Sequence, residues 1–276
     1  MSAERAAVVY ARLPADRGVH WLKDAFLMLS RARIQWLLLL LFYYIVLGVI
    51  DVIPLLGQIA APILKPLFAV GFLAAAWSQE RGGKPRLAQL FSGFRSNVWA
   101  LLPLGVVLLV GITLAIMGTA MIDDGKLLDV LSGKTRFDET VLADEQVQAA
   151  MLFAALCALP VMLALWFAPA LVVFQDCSAW QALGTSLRAA LANWRPIAVY
   201  GLMVFFCGGV VPGIILAVVA LIAPSSLAFP LAVVVLMPYM ALFVAALHIS
   251  DYVSYREIFH HGETVGPTEV GPASNL

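Results

Sequence analysis

"DVIPLLGQIAAPILKPL" (residues 51–67) breaks a long apolar tract with an acid, a base, three prolines and a glycine. A bilayer core of roughly 30 Å takes about 20 apolar residues as a helix. Counting back that length from Gln79, where polar residues resume, starts a span near Ala60. Leu55 to Ile59 then form a hairpin turn punctuated by Pro54 and Gly57. The tract before it, from about Ile34 to Ile53, becomes a first span. Asp51 falls near the far end of that span. Lys65 falls about one and a half turns inside the next, where its stem can snorkel to the same surface. The expectation is a polar pair, Asp51 and Lys65, of interfacial neighbours beside a turn. The alternative is a buried ion pair lining a transport path, because charges at membrane depth mark such paths.

The rest of the chain agrees with a membrane setting. Of 276 residues, 62% are hydrophobic and 12% charged, and the mean hydropathy is +0.93. Soluble domains hold about 45–50% apolar and about 25% charged residues. A soluble core cannot absorb that excess, so the chain is an integral membrane protein. Its zero net charge offers no field for nucleic acid. Cys157, Cys177 and Cys207 form no CxxC pair and read as small hydrophobes, so no metal or cofactor is expected. The first apolar stretch is too long for a cleavable signal peptide.

Six spans follow: about 34–53, 60–79, 99–122, 149–174, 196–222 and 227–250. The last two come from the 55 residues between Pro196 and Ser250, which hold no Asp, Glu, Lys or Arg. As one helix they would run ~80 Å, so "APSS" (223–226) supplies a turn. Residues 1–255 make one transmembrane domain, and 256–276, ending "GETVGPTEVGPASNL", read as a disordered tail.

Charge sets the expected orientation. Residues 1–33 hold six Lys or Arg, 78–98 four, 175–195 two, and the tail Arg256. With six spans these share one side. The other side receives Lys126, Lys134 and Arg136, with Lys65 at its interface. The positive-inside rule puts both termini in the cytoplasm of a bacterial inner membrane. The segment 123–147 is then the one sizeable outer loop, with seven acids against three bases. It carries a short helix at "LLDVL" (127–131), and Asp144 and Glu145 favour the start of span four.

A similar device precedes spans one, three and five. In "WQALGTSLRAALANW", Trp180, Leu183, Leu187, Leu191 and Trp194 make one apolar helical stripe. "LAQLFSGFRSNVW" and "WLKDAFLMLSRARIQW" repeat it less regularly. Each carries Arg or Lys and ends at a Trp that opens a span. Trp36, Trp99, Trp180 and Trp194 are therefore the expected interface anchors. The fold class is all-α: a polytopic bundle of three hairpins, each preceded by an amphipathic helix lying in the interface.

Chemistry is sparser. The chain has no G-x-x-x-x-G-K-[ST], H-E-x-x-H, G-x-S-x-G or G-x-G-x-x-G. His248 and Asp251 stand three apart and read as caps of the last span in a cytoplasmic aromatic belt with Tyr252 and Tyr255. A metal site would need them to converge with His260 and His261. Pro160, Pro169, Pro212, Pro230 and Pro238 interrupt the later spans, as in transporters, although neighbouring helices can also satisfy the freed carbonyls.

"IPLLG" followed by "PILKPLFAVGF", then "LFSGF", "WFAPALVVF" and "SLRAALANWRP", resembles a family of uncharacterised six-span inner-membrane proteins of Proteobacteria. The pattern is distantly similar to the membrane part attached to some glycerophosphodiester phosphodiesterases, whose catalytic domain has no counterpart here. The resemblance covers roughly residues 18 to 255 and implies a fold but no site residues. The leading expectation is a non-enzymatic accessory or assembly factor acting through helix and lipid contacts. Its partners are membrane lipids and a second membrane protein, not nucleic acid. The alternative is a carrier or flippase-like protein for an apolar or amphipathic molecule. A cavity reaching Asp51, Lys65 or Gln58 favours the carrier.

Overall fold

The computed structural model describes residues 8–53, 56–136 and 138–260, and all regular structure among them is helical. Six helical stretches are long and apolar enough to span a membrane: Arg33–Asp51, Gly57–Glu80, Val98–Asp123, Glu145–Phe174, Trp194–Ile222 and Ser225–Phe259. They run as three hairpins. Both ends of the described chain therefore lie on one face of the bundle, here the terminal face. The turns within the hairpins lie on the other, the hairpin face.

The first hairpin joins α2 (Arg33–Asp51) to α3 (Leu56–Glu80) and is preceded by α1 (Arg17–Arg31). Helix α3 starts at Leu56, so the turn is shorter and earlier than the expected Leu55–Ile59. A helix end in the interfacial zone can hold Gly57 and Gln58, which the count of apolar residues left out. Gly57 sits against the backbone of Ile50 and Asp51, which closes the hairpin. The second hairpin joins α5 (Val98–Gly118) to α9 (Glu145–Trp166) and α10 (Ala168–Phe174) through the short helices α6 (Ala120–Asp123), α7 (Lys126–Leu131) and α8 (Glu139–Ala143). The helix expected at 127–131 is α7. Asp144 caps α9, accepting from the N–H groups of Gln146 and Val147, and Lys126 donates to its other oxygen at 2.6 Å. The third hairpin joins α12 (Trp194–Phe205) and α13 (Val211–Ile222) to α14 (Ser225–Phe259) across Ala223 and Pro224.

The three approaches differ. Helix α1 buries Trp21, Leu22, Ala25 and Leu29 against α12 and α14. The second approach is a 3-10 turn (Leu87–Phe91) and a single α turn, α4 (Ser92–Arg95), folded onto α3. It docks through two glycines: a methyl on Gly93 would overlap the carbonyl of Leu67, and one on Gly71 would overlap Leu90. That is a physical reason for the "LFSGF" segment. The third approach, α11 (Ala179–Ala192), turns a small-residue face of Ala179, Ala182, Ser186, Ala189 and Ala190 onto the bundle. Trp180 and Leu191, from the bulky stripe, stay exposed.

Two helix breaks have identifiable causes. Between α9 and α10, the hydroxyl of Ser186 donates to the carbonyl of Leu163 at 2.9 Å and accepts the N–H of Phe167 at 3.0 Å. Those two backbone groups would otherwise bond each other, so a side chain from α11 stands inside the ladder of span four. Between α12 and α13 lies a π turn, Phe206–Val210. In that register the carbonyl of Cys207 points to Pro212, which has no N–H. Tyr239 on α14 supplies the missing donor at 2.5 Å.

The terminal face is tied by polar contacts. Glu80 accepts from Tyr252 and pairs with Arg256, and Glu257 pairs with Arg17 and accepts from Trp21 at 2.7 Å. Asn193 holds the N-terminal segment, accepting from the N–H of Leu13 and donating to the carbonyl of Ala11. The last helix therefore runs on to Phe259. The expected disordered tail does not begin at 256, and residues 261–276 lie outside the described residues.

Candidate functional site: a polar-ended cavity between the hairpins

A cavity of about 370 Å³ opens between α3, α5, α9, α10 and α14. Its lining combines Lys65, His248 and Asp251 with Tyr43, Phe72, Leu108, Met162, Leu165 and Trp166. Helix α3 positions the back wall. Lys65 lies nine residues past Leu56, or ~13 Å along the axis. The earlier start of α3 thus puts Lys65 about two and a half turns deep rather than one and a half.

His248 is fixed by packing. Its ring stacks on Phe72 with centroids 3.9 Å apart and planes 5° from parallel, and Tyr43 meets both rings edge-on. Asp251 follows one turn later on α14, with an oxygen 4.0 Å from Nδ1 of His248. That is beyond direct hydrogen-bond range, though close enough for a charge interaction. Trp166 ends α9 at the break that Ser186 stabilises, and packs on Phe167 and Tyr200. Its indole N–H is buried and has no acceptor among the described residues.

The expected pairs are redistributed. Asp51 is exposed at the end of α2 and makes no ion pair with Lys65 among the described residues. Gly57 abuts Asp51, and Lys65 lies eight residues further along α3, ~12 Å away in depth. The two are therefore not interfacial neighbours. His248 and Asp251 do not cap the last span in an aromatic belt, because α14 continues past them and Tyr252 and Tyr255 are each 1% exposed. Among the four expected anchors, Trp99, Trp180 and Trp194 are 85%, 72% and 59% exposed. Trp36 is fully buried and donates to Gln79 at 2.6 Å, so it holds α2 to α3 instead of facing headgroups.

That Lys65, His248 and Asp251 line one cavity has no local sequence signal, since the helices that carry them meet only in the fold. His260 contacts Tyr255 and His261 lies outside the described residues, among which no three metal-ligating side chains cluster.

A curated protein described as a probable inner membrane protein of Burkholderia thailandensis is similar to this chain. It is 28% identical over 260 residues, covering 92% of this chain and 94% of that one. No family model matches the chain. No solved structure matches it. With six spanning helices and an inner-membrane relative of nearly equal extent, the chain is a multi-pass protein of the inner membrane.

Proposed function

We propose that this protein is a carrier or flippase-like protein for an amphipathic molecule, with the cavity as its binding site. The observation that supports this reading is Lys65, a cation about two and a half turns inside a span that shares one space with His248 and Asp251. A charge at that depth is costly and persists where it serves a path or a ligand. Discontinuous helices border transporter sites, and the break at Phe167 forms one wall of this cavity. Apolar side chains form most of the lining, which suits a substrate that is itself partly apolar. Both termini are cytoplasmic, following the positive charge of the terminal face.

Reconstitution tests this. Proteoliposomes carrying the wild-type chain should move a short-chain fluorescent amphiphile between leaflets faster than empty vesicles, and filling the cavity by Ala69→Trp should abolish the gain. Equal rates with and without protein would remove the carrier reading. The accessory role would then lead, supported by the third hairpin. In the most apolar windows of spans five and six only 6% of residues are buried, so much apolar surface is left for lipid or a partner. Co-purification of a stoichiometric membrane protein would favour it.

A further inference from the structure

The cavity supplies charge unevenly along its length. The Phe72–His248 stack puts those two residues at one level. Lys65 precedes Phe72 by seven residues on α3, and Asp251 follows His248 by three on α14, and both helices run toward the terminal face. At 1.5 Å per residue the backbones carrying Lys65 and Asp251 differ in depth by ~15 Å. The carboxylate has the imidazole of His248 as its near neighbour, at 4.0 Å. Lys65 has no carboxylate within ion-pair distance among the described residues. The unpaired indole N–H of Trp166 adds a second donor to the same lining.

The opening is sideways. Met162 is 40% exposed and Lys65 is exposed, although both line the cavity, so it communicates with the outside of the bundle at span depth. A volume of about 370 Å³ is at the small end of ligand sites. It holds a headgroup and the first part of one chain, and the remainder leaves past Met162.

We propose that the cavity takes a single-chain anionic amphiphile. Its oxyanion, a carboxylate or a phosphate monoester, sits on Lys65, and its chain lies along Leu108, Met162 and Leu165. This rests on the carrier reading and names its substrate class. A lone cation among apolar walls matches one negative headgroup joined to hydrocarbon. A free multivalent anion would leave the walls without an apolar partner and its own charge uncompensated.

The test uses the full chain in nanodiscs of zwitterionic lipid. The probes are decanoate, decyl phosphate, decanol, decyltrimethylammonium and inorganic phosphate, read by tryptophan fluorescence and melting temperature. Decanoate and decyl phosphate should bind saturably. Lys65→Gln should weaken them about tenfold or more, the scale of one lost charge-assisted hydrogen bond, while Lys65→Arg retains them. The apo melting temperature of each variant reports folding, and Lys65→Met replaces Lys65→Gln if the latter fails to fold. Decanol and inorganic phosphate should have no effect. Equal affinity of Lys65→Gln and wild type would overturn the proposal, as would phosphate binding as tightly as decyl phosphate. Preferred binding of decyltrimethylammonium, lost in Asp251→Asn, would overturn the anionic class and leave the carrier reading standing. No saturable binding of any amphiphile would remove both.

Discussion

Phe72 and His248 lie face to face, ring centroids 3.9 Å apart and planes 5° from parallel. This contact joins the first hairpin to the third and sets which part of α14 faces the cavity. Phe72 is 2% exposed. Phe72→Ala should cost about 3–5 kcal/mol, as buried aromatic truncations do. His248→Phe keeps ring and volume and should cost less than about 1.5 kcal/mol. Denaturation in mild detergent compares the two. Equal losses would mean that the imidazole nitrogens, not the stack, hold α14 in place.

Gly93 and Gly48 give opposite expectations. A methyl at Gly93 overlaps the backbone of Leu67, whereas at Gly48 it meets nothing within 4 Å. Gly93→Ala should destabilise by about 1–3 kcal/mol or more. Gly48→Ala should be neutral or gain about 0.5–1 kcal/mol from helix propensity. Thermal melts that rank them the other way would refute the docking of the 3-10 turn on α3.

Ser186→Ala leaves the N–H of Phe167 and the carbonyl of Leu163 without their shared partner. The expected loss is about 1–3 kcal/mol. Ser186→Thr keeps the hydroxyl and should recover part of it. An unchanged melting temperature in Ser186→Ala would show that the ladder closes on itself.

The cap of α9 titrates. The hydrogen bond from Lys126, aided by the N–H groups of Gln146 and Val147, holds the Asp144 carboxyl below its ordinary range. A depressed folded-state pKa stabilises above the unfolded value, about 3.9, and the benefit is lost as pH falls through the folded value. The difference in melting temperature between wild type and Asp144→Asn should therefore hold from pH 7 to pH 5 and shrink as pH falls below the unfolded value, about 3.9. A difference that does not shrink at all as pH falls from 5 through the acid range would place the stabilisation elsewhere.

Orientation is open to direct labelling. Cysteines placed singly at Ser132 and Lys84, both exposed, should differ toward an impermeant thiol reagent on spheroplasts when the native cysteines are replaced. Position 132 should react and position 84 should not. The reverse pattern would invert the topology, and reaction at both would break the hairpin count.

The spans were legible because hydrophobic length is a one-dimensional property. The turn after Asp51 is shorter than an apolar count gives, because the first turn of α3 holds Gly57 and Gln58, which such a count rejects. Trp36 shows the second limit: a Trp opening a span is expected to face the headgroups, while the fold turns it inward onto Gln79. The cavity shows the third. Lys65 stands out in sequence, yet the placing of His248 and Asp251 further along the same cavity is set by the approach of α14 to α3. Proximity along the chain points to Asp51 instead, which the fold leaves exposed at the end of α2.

The hydroxyl inside the ladder of span four has a mechanical meaning. Helix α11 presents Trp180 and Leu191 outward, where bilayer can press on them. Any sliding of that helix must drag the joint at Phe167 or strand two backbone groups. Met162, Leu165 and Trp166 precede that joint directly, so one side of the cavity is coupled through Ser186 to the placement of α11.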